Sequence, residues 1–250
     1  MKKTLTIAGF DPSGWAGVIA DLRTFEAFSA MGLSVITSLT AQNRKTVKAT
    51  LSIPPAFVKK EITTILEEFD PDAVKIGMLG SFGNVAMLTR LIRDKNLKNI
   101  VLDPVIRSTS GYPLLEKKGV KALVKMLPLV TVVTPNVPEA SEISGIRIKD
   151  IRDIEDSAER IFSMGPANVL IKGGHLGGDP VDVLYDGKVF EYYEGKRIRA
   201  DRVVLHGTGC ILSSAIAAGL AGGRPVKKSV TEARAYLRIT ISKRLREAQT

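Results

Sequence analysis

Residues 206–210 read His-Gly-Thr-Gly-Cys, and Cys210 is the only cysteine in a chain of 250 residues. Gly207, Thr208, Gly209 and Cys210 present successive backbone N–H groups at the mouth of an apolar, Gly- and Ala-rich stretch that reads as a helix. Such an array can hold the charge of a transferring phosphoryl group. A thiol at a helix N-terminus has its pKa lowered from about 8.5, so a thiolate at Cys210 could accept a proton from an attacking hydroxyl. The competing reading is a small buried apolar side chain, the usual fate of a lone cysteine.

Three further stretches combine glycine with polar side chains. "GFDPSGWAG" (9–17) has the glycines for close ligand approach, but lacks the spacing of a dinucleotide fingerprint and the Gly-Lys-Ser/Thr of a P-loop. Asp21, just beyond it, is expected on the first helical turn, facing the loop's ligand or serving only the helix dipole. In "TPNVPEA" (134–140), Asn136 and Glu139 share one side of a helix entrance. They could orient water around a magnesium ion beside phosphates, or form an ordinary capping box. "IKGGH" (171–175) places Lys172, Gly173 and Gly174 at a strand end, fit for a nucleotide or for a plain turn.

These stretches need elements to hold them. Strands are predicted at 4–9, 33–42, 73–79, 99–105, 129–136 and 167–174, and a hairpin at 181–193 turning at Asp186-Gly187. Between and after them, helices are predicted from Gly17, from Pro54-Pro55 through Glu68, over 83–95 and 116–126, from Val137, and over 155–164, 208–221 and 226–246. Such alternation, with near-continuous apolar strands, implies an α/β fold with a mostly parallel sheet covered by helices on both faces. Ligands of such folds bind beyond the carboxyl ends of the strands, where Asp11, Gln42, the Lys75–Met78 stretch, Asp103, Asn136 and Lys172 fall. No internal repeat or linker interrupts residues 1–250, so a single domain is expected.

Composition narrows the function classes. The net charge is +10, but the basic residues are spread out and densest in the last helix, from Arg224 to Arg246. There they alternate with Val230, Leu237, Ile241 and Leu245 at helical spacing, reading as a solvated face; no aromatic-rich basic stripe points to nucleic acid. No apolar run is long enough for a membrane, the start is too short for a signal peptide, and one cysteine suits a reducing cytoplasm. Many charges with only two glutamines, Gln42 and Gln249, hint at a thermophilic source.

Seven stretches stand together in order: "TIAGFDPSGWAGVIADLRTF", "SVITSLTAQN", "AVKIGML", "VLDPVIRSTSG", "TPNVPEA", "VLIKGGH" and "HGTGC". Their order and spacing resemble the hydroxymethylpyrimidine kinase/hydroxymethylpyrimidine phosphate kinase family of thiamine biosynthesis, over about residues 4–225. The resemblance implies a three-layer ribokinase-like fold, a homodimer, and ATP- and Mg2+-dependent phosphorylation of 4-amino-5-hydroxymethyl-2-methylpyrimidine and then of its monophosphate. It implies that Gly207, Thr208 and Gly209 form the anion hole, with Cys210 as base where most of the superfamily has aspartate. It also implies a pyrimidine pocket of Gly9, Asp21, Gln42, Met78 and Val105, with the Gln42 amide suited to the aminopyrimidine edge. By the same resemblance Asp103 and Glu139 serve the metal, while Asn136, Lys172, Gly173, Gly174 and His175 line the nucleotide. The chain departs from the family pattern at Phe10, Trp15, Ile19, Leu205 and Ile211, and the usual Gly-rich tail is missing. The alternatives are a pyridoxal kinase of the same superfamily and a non-catalytic vitamin-precursor sensor.

Overall fold

The computed structural model describes residues 1–175, 177–198, 200, 201 and 203–247, except for the His175 side chain. Nine strands form one sheet: β1 (Lys3–Phe10), β2 (Met31–Gln42), β3 (Val47–Ser52), β4 (Ala73–Ile76), β5 (Ile100–Leu102), β6 (Val132–Val133), β7 (Val169–Ile171), β8 (Val181–Tyr185) and β9 (Phe190–Glu194). Their spatial order is β3-β2-β1-β4-β5-β6-β7-β8-β9. The pairs from β2 through β7 are parallel, whereas β2–β3, β7–β8 and β8–β9 are antiparallel. The helices are α1 (Gly17–Ala27), α2 (Pro55–Glu68), α3 (Phe82–Asp94), α4 (Lys117–Met126), α5 (Val137–Ser144), α6 (Ile151–Phe162), α7 (Thr208–Ala221) and α8 (Val226–Glu247).

Alternating side chains on each strand divide the core in two, as the period of a strand requires. Val74, Ile76, Ile100, Leu102, Val133, Val169 and Ile171 pack with residues of α2 to α6. Ala73, Val101, Val132, Leu170 and Leu184 face the other way, against Leu212, Ile216 and Leu220 of α7 and Val230 of α8. Helix α7 can be buried over most of its length because residues 211–221 are apolar or small all round.

The central strands are shorter than their apolar runs. Residues 73–79, 99–105, 129–136 and 167–174 were expected to be strands throughout, but only Ala73–Ile76, Ile100–Leu102, Val132–Val133 and Val169–Ile171 are. Beyond those points the continuous ladder ends: Met78 and Asp103 lie in loops at the carboxyl edge, and Asn136 and Lys172 meet there in an isolated parallel bridge. Strand β3 was not predicted; it forms the outer hairpin with β2, and its side chains are mostly exposed, which weakens the alternation signal. Helix α6 starts four residues earlier than the predicted 155, at Ile151, where Asp150 caps it by accepting from the N–H groups of Arg152 and Asp153.

Candidate active site

One side of the candidate site is assembled where α7 begins. Gly207 has φ 75° and caps the helix; a side chain there would be strained and would collide with the carbonyl of Trp15. At Gly209 a Cβ would lie 3.3 Å from Lys172 Nζ and 3.4 Å from Asp103 Oδ2, so the first turn of α7 faces a cation and a carboxylate together. Lys172 Nζ donates to Asp103 Oδ1 at 2.7 Å. Glu139 completes the group from the entrance of α5. Its Oε2 accepts from Asn136 N at 2.9 Å while Asn136 Oδ1 accepts from Glu139 N at 2.9 Å, a full capping box. The ordinary helix-capping geometry is therefore present, and it also holds Glu139 beside Lys172 and Asp103.

Burial, then repulsion from Asp103, pushes Glu139 up to about 7, against the opposing pull of Lys172 and the amides of Asn136 and Ile106. A carboxyl whose ionisation is held back by burial and by a neighbouring carboxylate ionises more readily when a cation arrives. Asp103 and Glu139 thus fit a magnesium ion that keeps water and phosphate oxygens in its shell. Among the described residues no cluster of three or more His, Cys, Asp or Glu forms an all-protein metal cage.

The opposite side is built from the loop between β1 and α1. Gly9 and Met78 meet: a Cβ on Gly9 would lie 2.9 Å from Met78 Sδ. The loop then closes on itself, with Phe10 and Gly17 bridged. Asp11 organises it, accepting from Ser13 N at 2.8 Å, Ser13 Oγ at 2.9 Å and Ala16 N at 3.0 Å, while His206 Nε2 bonds its Oδ2 at 2.9 Å. Burial alone would raise Asp11, but bonds from His206, Ser13 and the Gln42 side chain hold it well below the usual carboxylate range. Gln42 thus lies beside Asp11 of this loop. Val105 is half-buried just past Asp103, its amide donating to the Asp103 carbonyl at 2.8 Å.

Asp21 does not face the loop's ligand. It lies on the second turn of α1, fully buried, where Lys75 Nζ donates to its two oxygens at 2.9 and 2.8 Å. Thr6 Oγ1 and Ser214 Oγ each add a 2.6 Å bond, so this carboxylate has no position left for a ligand. Lys75, expected at the ligand end of its strand, lies within β4 and is also 0 % exposed.

Cys210 sits between these two halves. It lies near the Gly17 backbone, and the charges of Lys75, Asp21 and Asp103 reach it. The expectation of a lowered thiol pKa is reversed: burial pushes it up to about 11, with Asp21 and Asp103 adding to the rise and Lys75 opposing it.

Gly173 and Gly174 lie in a short 3-10 turn after β7. Gly173 N donates to Asp182 Oδ1 at 3.0 Å, and Gly173 borders a cavity of about 400 Å3 with Lys149, Asp150, Ile151, Gly177 and Val181. The side chain of His175, predicted beside the nucleotide, is outside the described residues. Sequence reasoning missed the Asp11–His206 link and the Asp21–Lys75 pair. The first had a visible signal, since His206 is one of two histidines and adjoins the glycine turn. The second had none, because 54 residues separate its members.

A parallel sheet with its polar loops at the carboxyl edge and a glycine turn opening α7 is the ribokinase-like arrangement. The same fold occurs in the crystal structure of a phosphomethylpyrimidine kinase from Clostridium difficile 630, with TM-score 0.86 and 41% identity, covering 96% of this chain and 100% of that one. It also occurs in a Bacillus subtilis pyridoxal kinase in complex with ADP, with TM-score 0.85 and 36% identity over 94% and 89% of the two chains. A hydroxymethylpyrimidine/phosphomethylpyrimidine kinase of Aquifex aeolicus is 43% identical over 238 residues, 93% of this chain and 91% of its own. The phosphomethylpyrimidine kinase family model matches residues 11–249, and the chain belongs to that family of phosphotransferases.

Proposed function

We propose that the protein transfers the γ-phosphoryl group of ATP to the hydroxymethyl group of 4-amino-5-hydroxymethyl-2-methylpyrimidine, and then phosphorylates the resulting monophosphate. The observation that carries this reading is the meeting of the α7 turn with Lys172 and Asp103 on one side and with the Gly9–Gly17 loop, through Cys210, on the other. Phosphoryl transfer through a loose transition state depends mainly on positioning and charge neutralisation, which this arrangement supplies.

In this reading Gly9, Met78, Val105 and Gln42 hold the acceptor ring, and the acceptor oxygen points to Cys210. The backbone N–H groups of Gly207, Thr208 and Gly209 hold charge on the phosphoryl oxygens, and Cys210 Sγ takes the hydroxyl proton. Lys172 holds the phosphates electrostatically, and Asn136, Gly173, Gly174 and His175 border the nucleotide. Asp103 and Glu139 would hold the magnesium ion, which neutralises phosphate charge when bound. Asp21 acts indirectly, by holding Lys75 under the thiol. The reaction would run in the cytoplasm. A homodimer would cover Leu39 and Leu51, which are exposed on the outer β2–β3 hairpin.

Pyridoxal is the second acceptor to consider, given the similarity to the Bacillus subtilis pyridoxal kinase. Turnover of ATP with the pyrimidine alcohol, its monophosphate and pyridoxal, followed by mass detection of the phosphorylated products, tests the assignment. Diphosphate formation from the pyrimidine is the expected result. Phosphorylation of pyridoxal alone would move the protein to the second reading, and no turnover of any acceptor would favour a sensor.

A further inference from the structure

Arg244 lies on α8, where charge patterning implies a solvated face; its guanidinium instead turns inward, part-buried, toward the site. Nη1 donates to the His206 carbonyl at 2.8 Å and to the Val204 carbonyl at 3.4 Å, and Nη2 donates to the Trp15 carbonyl at 3.3 Å. The guanidinium carbon is also 4.2 Å from the centroid of the Trp15 ring. Arg44, from the turn between β2 and β3, lies 4.7 Å from the same centroid. Burial draws the Arg244 pKa below its ordinary value, the mark of a cation with little water around it.

The carbonyls that Arg244 binds belong to the two segments whose separation sets the reaction distance. Trp15 is in the loop that carries the acceptor's contacts, and His206 immediately precedes the anion-hole turn. Their backbones already touch, since a side chain on Gly207 would collide with the Trp15 carbonyl. Carbonyl oxygens that converge in this way repel one another unless a donor stands between them. A planar fork of N–H groups can serve several at once, and an aromatic face beneath it fixes its plane.

We propose that Arg244 is a positioning residue for phosphoryl transfer: it fastens the acceptor loop to the anion-hole turn, with Trp15 as the platform that orients its guanidinium. The assignment rests on the kinase reading above. Arg244 touches neither reactant, so its effect should fall on kcat more than on the KM for ATP.

The test compares the full-length chain with Arg244→Gln and Arg244→Lys. For Arg244→Gln, kcat should fall about 10- to 100-fold, the scale of a misplacement near 1 Å, with KM for ATP within about threefold. Millimolar guanidinium ion should restore part of that loss without accelerating the wild type. Arg244→Lys, with charge but no fork, should recover only part of the rate. Trp15 is the only tryptophan, so its emission and acrylamide quenching report the stack without any turnover. Quenching should increase in Arg244→Gln. Wild-type kcat in that variant would overturn the proposal, as would a loss of activity that follows the unfolded fraction and ignores guanidinium. Should Arg244→Gln fail to fold, Arg244→Lys carries the same comparisons. Should the wild type phosphorylate none of the acceptors, the kinase reading fails by itself, and unchanged Trp15 quenching would then overturn the Arg244 assignment.

Discussion

At the scale of single residues, the thiol and the buried carboxyl make opposite demands on pH. In the proposed reaction Cys210 would act as a base only when ionised, and with its pKa pushed up to about 11 the thiolate fraction grows about tenfold per pH unit below that value. We expect kcat/KM to rise steadily from pH 7 toward pH 10, and Cys210→Asp to lose that slope. Cys210→Ala should keep ATP binding while kcat falls about 10²–10⁴-fold, the usual effect of removing a positioned base; near-normal kcat would leave only the anion hole. Glu139 behaves differently. Its folded pKa, about 7, lies above the 4.5 of a free glutamate, so the unfolded chain releases this proton first and stability falls as pH rises from 4.5 through 7. Glu139→Gln should therefore melt higher than the wild type at pH 8, the difference vanishing below about pH 4.5. An equal melting difference at both pH values would contradict the raised pKa.

At the scale of elements, the Asp21–Lys75 pair joins α1 to β4 beneath Cys210, with Thr6 of β1 and Ser214 of α7 completing the carboxylate's bonds. Removing one member leaves a buried charge without its partner. Lys75→Met should destabilise the fold by about 3–5 kcal/mol in denaturant titration. Adding Asp21→Asn should recover much of that loss, because no net charge then remains buried; no recovery would mean that packing, and not charge, sets the effect. The short central strands belong to this scale too. Their apolar runs are legible as strands, yet the residues that leave the ladder early are those that bend toward the site.

For the whole molecule, the net charge of +10 is the property with a functional reading. An excess of positive charge attracts ATP and the phosphorylated pyrimidine over distances that salt screens. Raising ionic strength should lower kcat/KM for the monophosphate more than for the uncharged alcohol. Equal salt dependence for the two acceptors would separate the charge from substrate capture. No described helix is long and apolar enough to cross a membrane.

The α/β class, the order of most strands and helices, the glycine turn before Cys210 and the family to which the chain belongs were legible in the amino-acid sequence. These features are written in short windows: apolar period, glycine and proline positions, and motif order. The pairing of Asn136 with Glu139 was legible there too, because a three-residue spacing on a helix entrance fixes their geometry locally. Only the tertiary structure decided what required distant segments to meet. Asp21 turned from a pocket residue into the buried partner of Lys75, and Arg244 turned from a solvated face into the fastening of two site loops. The Cys210 thiol, read locally, should be acidified by its helix; half-buried and close to the carboxylates of Asp21 and Asp103, it is pushed the other way.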